Sequence, residues 1–485
     1  MTLAAPQRGG RITLVALALV VAVLSSWAVR PAATEAAGPT FDFGFADDRN
    51  SDNLFTNEDA SVRNKWLGRV KGTGARYARI NVYWSSVAPS KPAVPANPND
   101  PAYNWTEVDR AVRSADAQGL EIILLGLNAP SWAEAPGRPK SVRPGAWKPD
   151  PAALQAFAKA LATRYSGSFL PVNTAGVLPK VSLYEAWNEP NLRNYLAPLW
   201  NGKKPNAPKL YRGLLNAFYA GVKSASSGNR VITGGTSPFG DPPGGRRMHP
   251  LQFWREVFCL NRKLKKQCSA KANFDIFGHN AINSPGDGPS KNALHPDDAT
   301  PADMKDLAKV LRAAERAGTA PGGRHDFWST ETWYESPPER QALSLKGQAA
   351  AMVEAMYIMW KAGASNVIWL QIRDSPYDPK LHPLLGFQTG VYFINGKPKP
   401  SVQALRFPFL GDRKQGSRTT LWGIAPASGK LTIEAKAKGK GGYRQIASKS
   451  VTAGRVFKLT DKVKGKKVKL RAKIGAKKSL AWNLK

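Results

Sequence analysis

The sequence predicts an α/β fold: a (β/α)8 TIM barrel followed by a small C-terminal antiparallel β domain. Eight short runs rich in β-branched and aromatic residues alternate with longer helical patterns. The segments that leave these runs are long and rich in Pro and Gly, whereas those that lead back into them are short. After residue 410 the pattern changes to period-two alternation, which is typical of antiparallel strands. Together these features indicate a closed parallel barrel with a second, smaller β domain.

The first 37 residues have the pattern of an export signal. Arg8 and Arg11 precede an uncharged run of 18 residues, Ile12 to Val29, and small residues follow it. A run of this length suits either a cleaved signal or an uncleaved membrane anchor, and both interpretations stay open. In either case we expect the chain to leave the cytoplasm as a secreted or membrane-tethered extracellular protein.

The barrel is expected to span residues 38–410. Its strands are predicted at 41–47, 78–84, 121–127, 181–187, 230–235, 274–279, 326–330 and 366–371, with helices at 105–118, 151–165, 302–317 and 345–362. An open doubly wound sheet would also alternate strand and helix. Eight strands with all the long loops at their carboxyl ends favour the barrel, because enzymes of that fold build their sites from these loops.

Residues 411–485 form the predicted β domain and are strongly basic. They hold 21 lysines and arginines against three acidic residues, a net charge of +18 out of +35 for the whole chain. Lysines on such strands protect exposed edges from aggregation, or they bind an anionic polymer or cell surface. Both interpretations stay open. Nucleic acid is not an expected partner, because the chain is exported and the segment lacks a nucleic-acid-binding signature.

Cysteine and histidine usage agrees with an exported protein without a metal. Cys259 and Cys268 are the only cysteines, and they are predicted to form a disulfide across a short basic loop. Two free buried thiols are the alternative. The five histidines show no spacing typical of metal ligands, so we expect no metal.

Two glutamates follow predicted strands on opposite sides of the barrel. Glu189 lies in AWNEPN after the fourth strand, and Glu331 lies in FWSTETWYESPP after the seventh. Facing carboxylates on aromatic-lined walls are the arrangement that glycoside hydrolysis uses. One protonates the leaving oxygen while the other attacks the anomeric carbon, which requires that their environments set their pKa values apart.

AWNEPN resembles the acid/base signature of clan A retaining glycoside hydrolases, most closely family 39, with family 5 also near. The resemblance covers roughly residues 40–410. It implies that Glu189 is the acid/base, that Glu331 is the nucleophile, and that Asn188 binds the sugar 2-hydroxyl. It also implies that Arg79 holds the nucleophile ionised and that no cofactor is needed.

Further substrate-binding positions rest on the same resemblance or on their place near strand ends. His279 resembles the clan's histidine near the active centre, although GHNAIN lacks the tyrosine that usually follows; Asn280 and Tyr334 both stay open as its substitute. Trp369 resembles the tryptophan beneath the sugar at the cleavage point. The remaining candidates are Trp132, Asn128 and Trp333, with Trp84, Asp47 and Gln371 as weaker ones.

The leading interpretation is an exported retaining glycosidase that acts on a β-linked poly- or oligosaccharide without metal or organic cofactor. A non-catalytic carbohydrate-binding protein and a cell-surface attachment protein on the same barrel are the alternatives. The presence of both glutamates favours the enzyme. The sugar, the linkage and the choice between endo and exo action stay open.

Overall fold

A computed structural model describes residues 39–46, 53–172, 176–380, 387–413, 417–437, 441–465 and 467–484. The predicted export signal, Asp47 and His382 lie outside these ranges. The helices in the described part of the chain include none with the length and apolar character that crossing a bilayer requires.

Eight parallel strands close into a barrel in sequence order, with β1 paired to both β2 and β8. The predicted (β/α)8 fold is therefore confirmed. The strands are Asp42–Ala46 (β1), Tyr77–Tyr83 (β2), Glu121–Leu127 (β3), Leu183–Ala186 (β4), Arg230–Thr233 (β5), Ile276–Asn280 (β6), Asp326–Thr332 (β7) and Asn366–Leu370 (β8).

Helices follow every strand and cover the outside of the barrel. They are Ala60–Gly72 (α1), Trp84–Val87 (α2), Thr106–Ala117 (α3), Pro151–Arg164 (α4), Ala207–Ala225 (α5), Pro250–Val257 (α6), Met304–Ala317 (α7), Leu345–Lys361 (α8) and Pro400–Arg406 (α9). Local sequence sets their ends: Asp150 caps the first amides of α4, and Gly318 ends α7 in a left-handed conformation.

Apolar side chains fill the barrel interior nearer the amino ends of the strands, and polar side chains lie nearer the carboxyl ends. One apolar layer takes a side chain from each strand: Ala46, Tyr77, Ile123, Leu183, Ile232, Ile276, Trp328 and Ile368. Because side chains alternate along a strand, residues two and four positions further on also face inward, nearer the carboxyl ends. Arg79 on β2 and Glu185 on β4 lie two positions after Tyr77 and Leu183, and Asn280 on β6 lies four positions after Ile276. The alternation therefore carries polar groups to the barrel mouth.

The chain after the barrel forms antiparallel sheets, as predicted. Its strands are Phe409–Arg413 (β9), Arg418–Ile424 (β10), Gly429–Ala437 (β11), Arg444–Val451 (β12), Val456–Lys462 (β13), Val468–Ile474 (β14), Lys477–Lys478 (β15) and Trp482–Leu484 (β16). β9 crosses the predicted domain boundary between residues 410 and 411. The sheets pack on α8, where Tyr357 donates a hydrogen bond to Asp412 at 2.8 Å and contacts the ring of Trp422.

The predicted disulfide is confirmed. Cys259 and Cys268 are bonded at 2.01 Å across the loop after α6.

Candidate active site

An arginine and two acidic side chains meet near the carboxyl end of the barrel. Arg79 on β2 donates from Nη1 to Glu331 Oε2 at 3.2 Å and from Nη2 to Asn188 Oδ1 at 3.3 Å. Glu185 on β4 accepts from Nε at 2.6 Å and from Nη2 at 3.2 Å. Arg79 and Glu185 are buried, whereas 16% of the Glu331 side chain is exposed. The structure thus brings the predicted residues Arg79, Asn188 and Glu331 together.

Glu185 is a site residue that the sequence reasoning missed. It is fully buried on β4, where burial raises its pKa and the Arg79 cation lowers it. The sequence did contain a signal. In VSLYEAW, Glu185 lies two residues after Leu183, so it has the inward parity of an otherwise apolar strand. A buried carboxylate needs a cationic partner, and Arg79 has the same inward parity on β2.

Asn280 on β6 holds the carboxyl group of Glu189. Glu189 Oε1 accepts from Asn280 Nδ2 at 3.2 Å, and Asn280 Oδ1 accepts from Thr330 Oγ1 at 2.8 Å. Burial, and then the negative charge of Glu331, raise the pKa of Glu189 to about 8. Both effects favour the protonated form of Glu189. Glu331 contacts the Arg79 cation, which favours its ionised form.

The turn after β4 places Glu189 through an unusual backbone. Trp187 and Glu189 both adopt positive φ angles, 75° and 39°, which are uncommon for residues other than glycine. The amide of Glu189 donates to the Gly235 carbonyl at 3.0 Å, and the Trp187 indole donates to the Tyr195 carbonyl at 2.8 Å. These bonds fix the turn in AWNEP and direct the Glu189 carboxyl toward Asn280.

Gly235 leaves room for the Asn280 side chain, whose amide group contacts Glu189. A Cβ atom at this position would lie 2.1 Å from both Asn280 Oδ1 and Thr330 Oγ1. Such distances are far below van der Waals contact, so any side chain here would displace Asn280. The absence of a side chain at Gly235 therefore allows Asn280 to reach Glu189.

β7 carries one extra residue beside the site. Its pairing with β6 runs from His279–Ser329 to Asn280–Glu331, and its pairing with β8 runs from Val367–Ser329 to Trp369–Thr332. Both neighbours thus skip one position of β7, which is a β-bulge. Because of it, two consecutive residues serve the cavity: Thr330 binds Asn280, and Glu331 binds Arg79.

His279 lies outside this group, which corrects the prediction that it binds substrate. It is fully buried; its Nδ1 is 3.0 Å from Thr236 Oγ1, and its Nε2 donates to the Ala299 carbonyl at 2.8 Å. Burial lowers its pKa to about 4, so the ring is neutral. Alternation on β6 directs Asn280, and not His279, toward the glutamates. Of the two substitutes considered for the missing tyrosine, Asn280 contacts Glu189, whereas the Tyr334 hydroxyl donates to Asn283 at 3.0 Å.

Trp369 is also placed differently from the prediction. It is 1% exposed and packs in the apolar layer between strands and helices. Its neighbours Ile368 and Leu370 belong instead to the buried apolar cluster inside the barrel, which we call the barrel-interior group. Since Leu370 has the inward parity at this level of β8, the tryptophan cannot lie beneath a bound sugar.

The other predicted contacts lie on strand ends and the loops after them. Trp333 packs with Phe387 in the barrel-interior group, and its indole donates to Glu335 at 2.8 Å; burial raises the pKa of that carboxyl to about 7. Asn128 donates to Ser85 Oγ at 2.8 Å. Trp132 is half-buried and donates to the Ala88 carbonyl at 2.9 Å. Trp84 and Gln371 are fully buried.

Comparisons with known proteins give likeness in structure only. No protein-family model matches the chain, and no curated protein matches it. A family 39 glycoside hydrolase from Bacteroides cellulosilyticus WH2 is similar with a TM-score of 0.53 and 17% identity, over 88% of this chain and 81% of that one. A monomeric β-xylosidase from Caulobacter crescentus CB15 follows with a TM-score of 0.49 and 16% identity, over 88% and 95% of the two chains. The first of these likenesses agrees with the resemblance seen in AWNEPN, and it establishes that the chain shares the barrel fold of a family 39 glycoside hydrolase.

Proposed function

We propose that the chain is an exported retaining glycoside hydrolase with Glu331 as nucleophile and Glu189 as acid/base. One observation carries this proposal: the two carboxyl groups have opposite electrostatic environments at one barrel mouth. Glu331 contacts the Arg79 cation at 3.2 Å, whereas burial and the charge of Glu331 raise the pKa of Glu189 and favour its protonated form. An ionised and a protonated carboxyl side by side are what double displacement requires.

In the first step a Glu331 carboxylate oxygen forms a bond to the anomeric carbon while the bond to the leaving oxygen breaks. The Glu189 proton moves to that oxygen, so the alcohol leaves neutral. Formation of the glycosyl ester removes the charge of Glu331, and Glu189 has become a carboxylate. In the second step Glu189 takes a proton from water, whose oxygen attacks the anomeric carbon and releases Glu331.

The surrounding residues support these steps by position. Asn188 accepts from Arg79 through Oδ1, which leaves its amide N–H groups for a sugar hydroxyl. Asn280 donates to Glu189 Oε1, and this bond stabilises the carboxylate that forms in the first step. Trp333 supplies an apolar surface at the same end of the barrel, of the kind that pyranose rings pack against.

Export is part of the proposal. The charged and then apolar N-terminal segment supports it, and so does the Cys259–Cys268 disulfide, since such bonds persist in oxidising compartments.

The test is hydrolysis of neutral and anionic polysaccharides and aryl glycosides by the wild type, Glu331→Gln and Glu58→Gln. Glu58 is the matched control because its side chain is 91% exposed. We expect cleavage of one substrate class by the wild type and the control and none by Glu331→Gln. Azide should rescue Glu331→Ala with a glycosyl azide of inverted configuration and Glu189→Ala with one of retained configuration. Activity in Glu331→Gln equal to wild type would refute the proposal.

One observation favours a second role, binding of an anionic polysaccharide. A cavity of about 740 Å³ lies where the α1–β2 connection meets the C-terminal sheets, at the end of the barrel away from the glutamates. Lys71, Arg406, Lys477 and Lys478 line it, and none of its described lining residues is acidic. Four cations in one concave surface favour a polyanion.

Retention on immobilised polygalacturonate tests this role. We expect Lys477→Glu/Lys478→Glu to elute at lower salt than the wild type. Lys159→Glu/Lys209→Glu, which makes the same charge change at exposed positions on α4 and α5, should elute close to the wild type. If both double variants lost retention to the same extent, net charge, and not this cavity, would govern binding to the column.

A further inference from the structure

Two loops at the barrel mouth bring together three metal-binding side chains that are distant in sequence. His249 ends the connection between β5 and α6, and His295 and Asp298 lie in the connection between β6 and α7. Each offers a ligand atom, and these atoms lie within 4.8 Å of one another. Histidine spacing in the sequence gave no indication of a metal site, because the fold pairs residues 46 positions apart.

The turn HPDD presents His295 and Asp298 on one side. The Asp298 amide donates to the His295 carbonyl at 3.0 Å, which closes the turn. Asp297 joins this turn to α6. The Asp297 carbonyl accepts from the Leu251 amide at 3.0 Å, and the Asp297 carboxylate accepts from Arg255 at 2.8 and 2.7 Å. The two loops are therefore already joined beside the three side chains.

His249 already contacts another member of the cluster through atoms that can bind an ion. Its Nδ1 is 2.6 Å from Asp298 Oδ1, which also accepts from the Gly240 amide at 2.8 Å. A metal ion that replaces the proton shared by these two atoms would be bound by both, since metal ligands must be a deprotonated ring nitrogen and a carboxylate. Gly240 permits this arrangement, since a Cβ there would lie 2.4 Å from the His249 ring.

His295 completes the cluster from the solvent side. It is exposed, and its ring stacks on that of His249 with centroids 3.7 Å apart. Its Nδ1 accepts from the Asp297 amide at 3.2 Å, a long contact that a metal can displace. The exposure gives an ion an entry path and lets the ring adjust to the ligand spacing of a tetrahedral site.

We propose that His249, His295 and Asp298 bind a Zn²⁺ ion that cross-links the two loops. Two imidazoles and a carboxylate form a donor set that suits Zn²⁺ better than Ca²⁺ or Mg²⁺, because those two ions take oxygen ligands. Three protein ligands leave one position for water. This site is independent of the glutamates and of the proposed hydrolysis.

The experiment is calorimetric titration of Zn²⁺ into the untagged full chain after chelator treatment, with Co²⁺ spectroscopy as a second readout. We expect one equivalent of Zn²⁺ to bind, a rise in Tm with Zn²⁺, and visible bands of four-coordinate Co²⁺. His295→Ala and Asp298→Asn should bind Zn²⁺ at least about 10- to 100-fold more weakly, since even the loss of an outer-shell partner costs that much. The control Asp306→Asn, an acid on α7 that pairs with Lys309, should bind like the wild type.

His295 is exposed, so its replacement leaves the fold intact and keeps the test decisive. Absence of Zn²⁺ binding by the folded wild type would overturn the proposal. So would equal affinity in wild type and His295→Ala, or binding of Ca²⁺ in preference to Zn²⁺.

Discussion

Replacement of Arg79 by methionine should destabilise the fold through the charge that it leaves behind. Arg79 and Glu185 are both buried, and two hydrogen bonds of 2.6 and 3.2 Å join them. Removal of one partner from a buried ion pair costs about 3–5 kcal/mol, because the other charge stays uncompensated. For the unit Gly38–Lys485 the entropy of unfolding is roughly 0.9 kcal/mol/K, so Tm should fall by roughly 3–5 °C.

The loss should depend on pH in a defined direction. Burial already raises the pKa of Glu185, and loss of the Arg79 cation raises it further. A carboxyl whose folded pKa exceeds its unfolded value of about 4.3 binds more protons when folded, so the free energy of unfolding falls as pH rises between these two values. Arg79→Met should therefore be closest to wild type near pH 5 and furthest from it at alkaline pH.

Urea unfolding followed by tryptophan fluorescence, at several pH values, measures both effects. The double variant Arg79→Met/Glu185→Gln serves as control, since it removes both charges. We expect it to recover more than about 1.5 kcal/mol relative to the sum of the single changes. A deficit that is constant with pH, or strictly additive single and double variants, would refute the charge argument and point to lost packing.

Three further predictions concern the two glutamates and the glycine beside them. In Glu331→Gln, ¹³C NMR should give Glu189 a pKa below about 8 but above its ordinary 4.5, because repulsion is lost while burial remains; an unchanged value would contradict the coupling. Wild-type hydrolysis should decline above about pH 8 as Glu189 loses the proton it donates, and a rate that keeps rising there would argue against its acid role. Gly235→Ala should reduce activity at least about tenfold and cost about 1–3 kcal/mol because its Cβ would collide with Asn280, whereas Gly288→Ala, which has open space, should match wild type in both assays.

The architecture was predictable because it depends on patterns that repeat. Strand–helix alternation occurs eight times, and each instance reinforces the others, so small errors at strand ends do not change the topology. The sequence also predicted that Arg79, Asn188 and Glu331 lie close together, and the structure places them in contact. AWNEP and the glutamate after the seventh strand fix two points on the barrel, and the network around Arg79 connects them.

The misplaced residues depend on side-chain parity, which motif reasoning did not track. His279 and Trp369 are next to residues with inward parity, Asn280 and Leu370, and a shift of one position moves a side chain to the other face. Glu185 was missed because it lies inside an apolar strand and belongs to no motif, so only its parity with Leu183 marks it.

The bulge in β7 lets one strand turn two consecutive side chains into the cavity. Deletion of Thr330 would restore regular pairing to both neighbours and leave Glu331 with inward parity, two positions after Trp328. The barrel would keep its strands and its layers, yet Asn280 would lose the Thr330 hydroxyl that donates to it. The extra residue therefore adds a polar contact that regular alternation along the strand cannot supply. A designer who transplants this site onto a regular barrel must carry over the extra residue as well as the side chains.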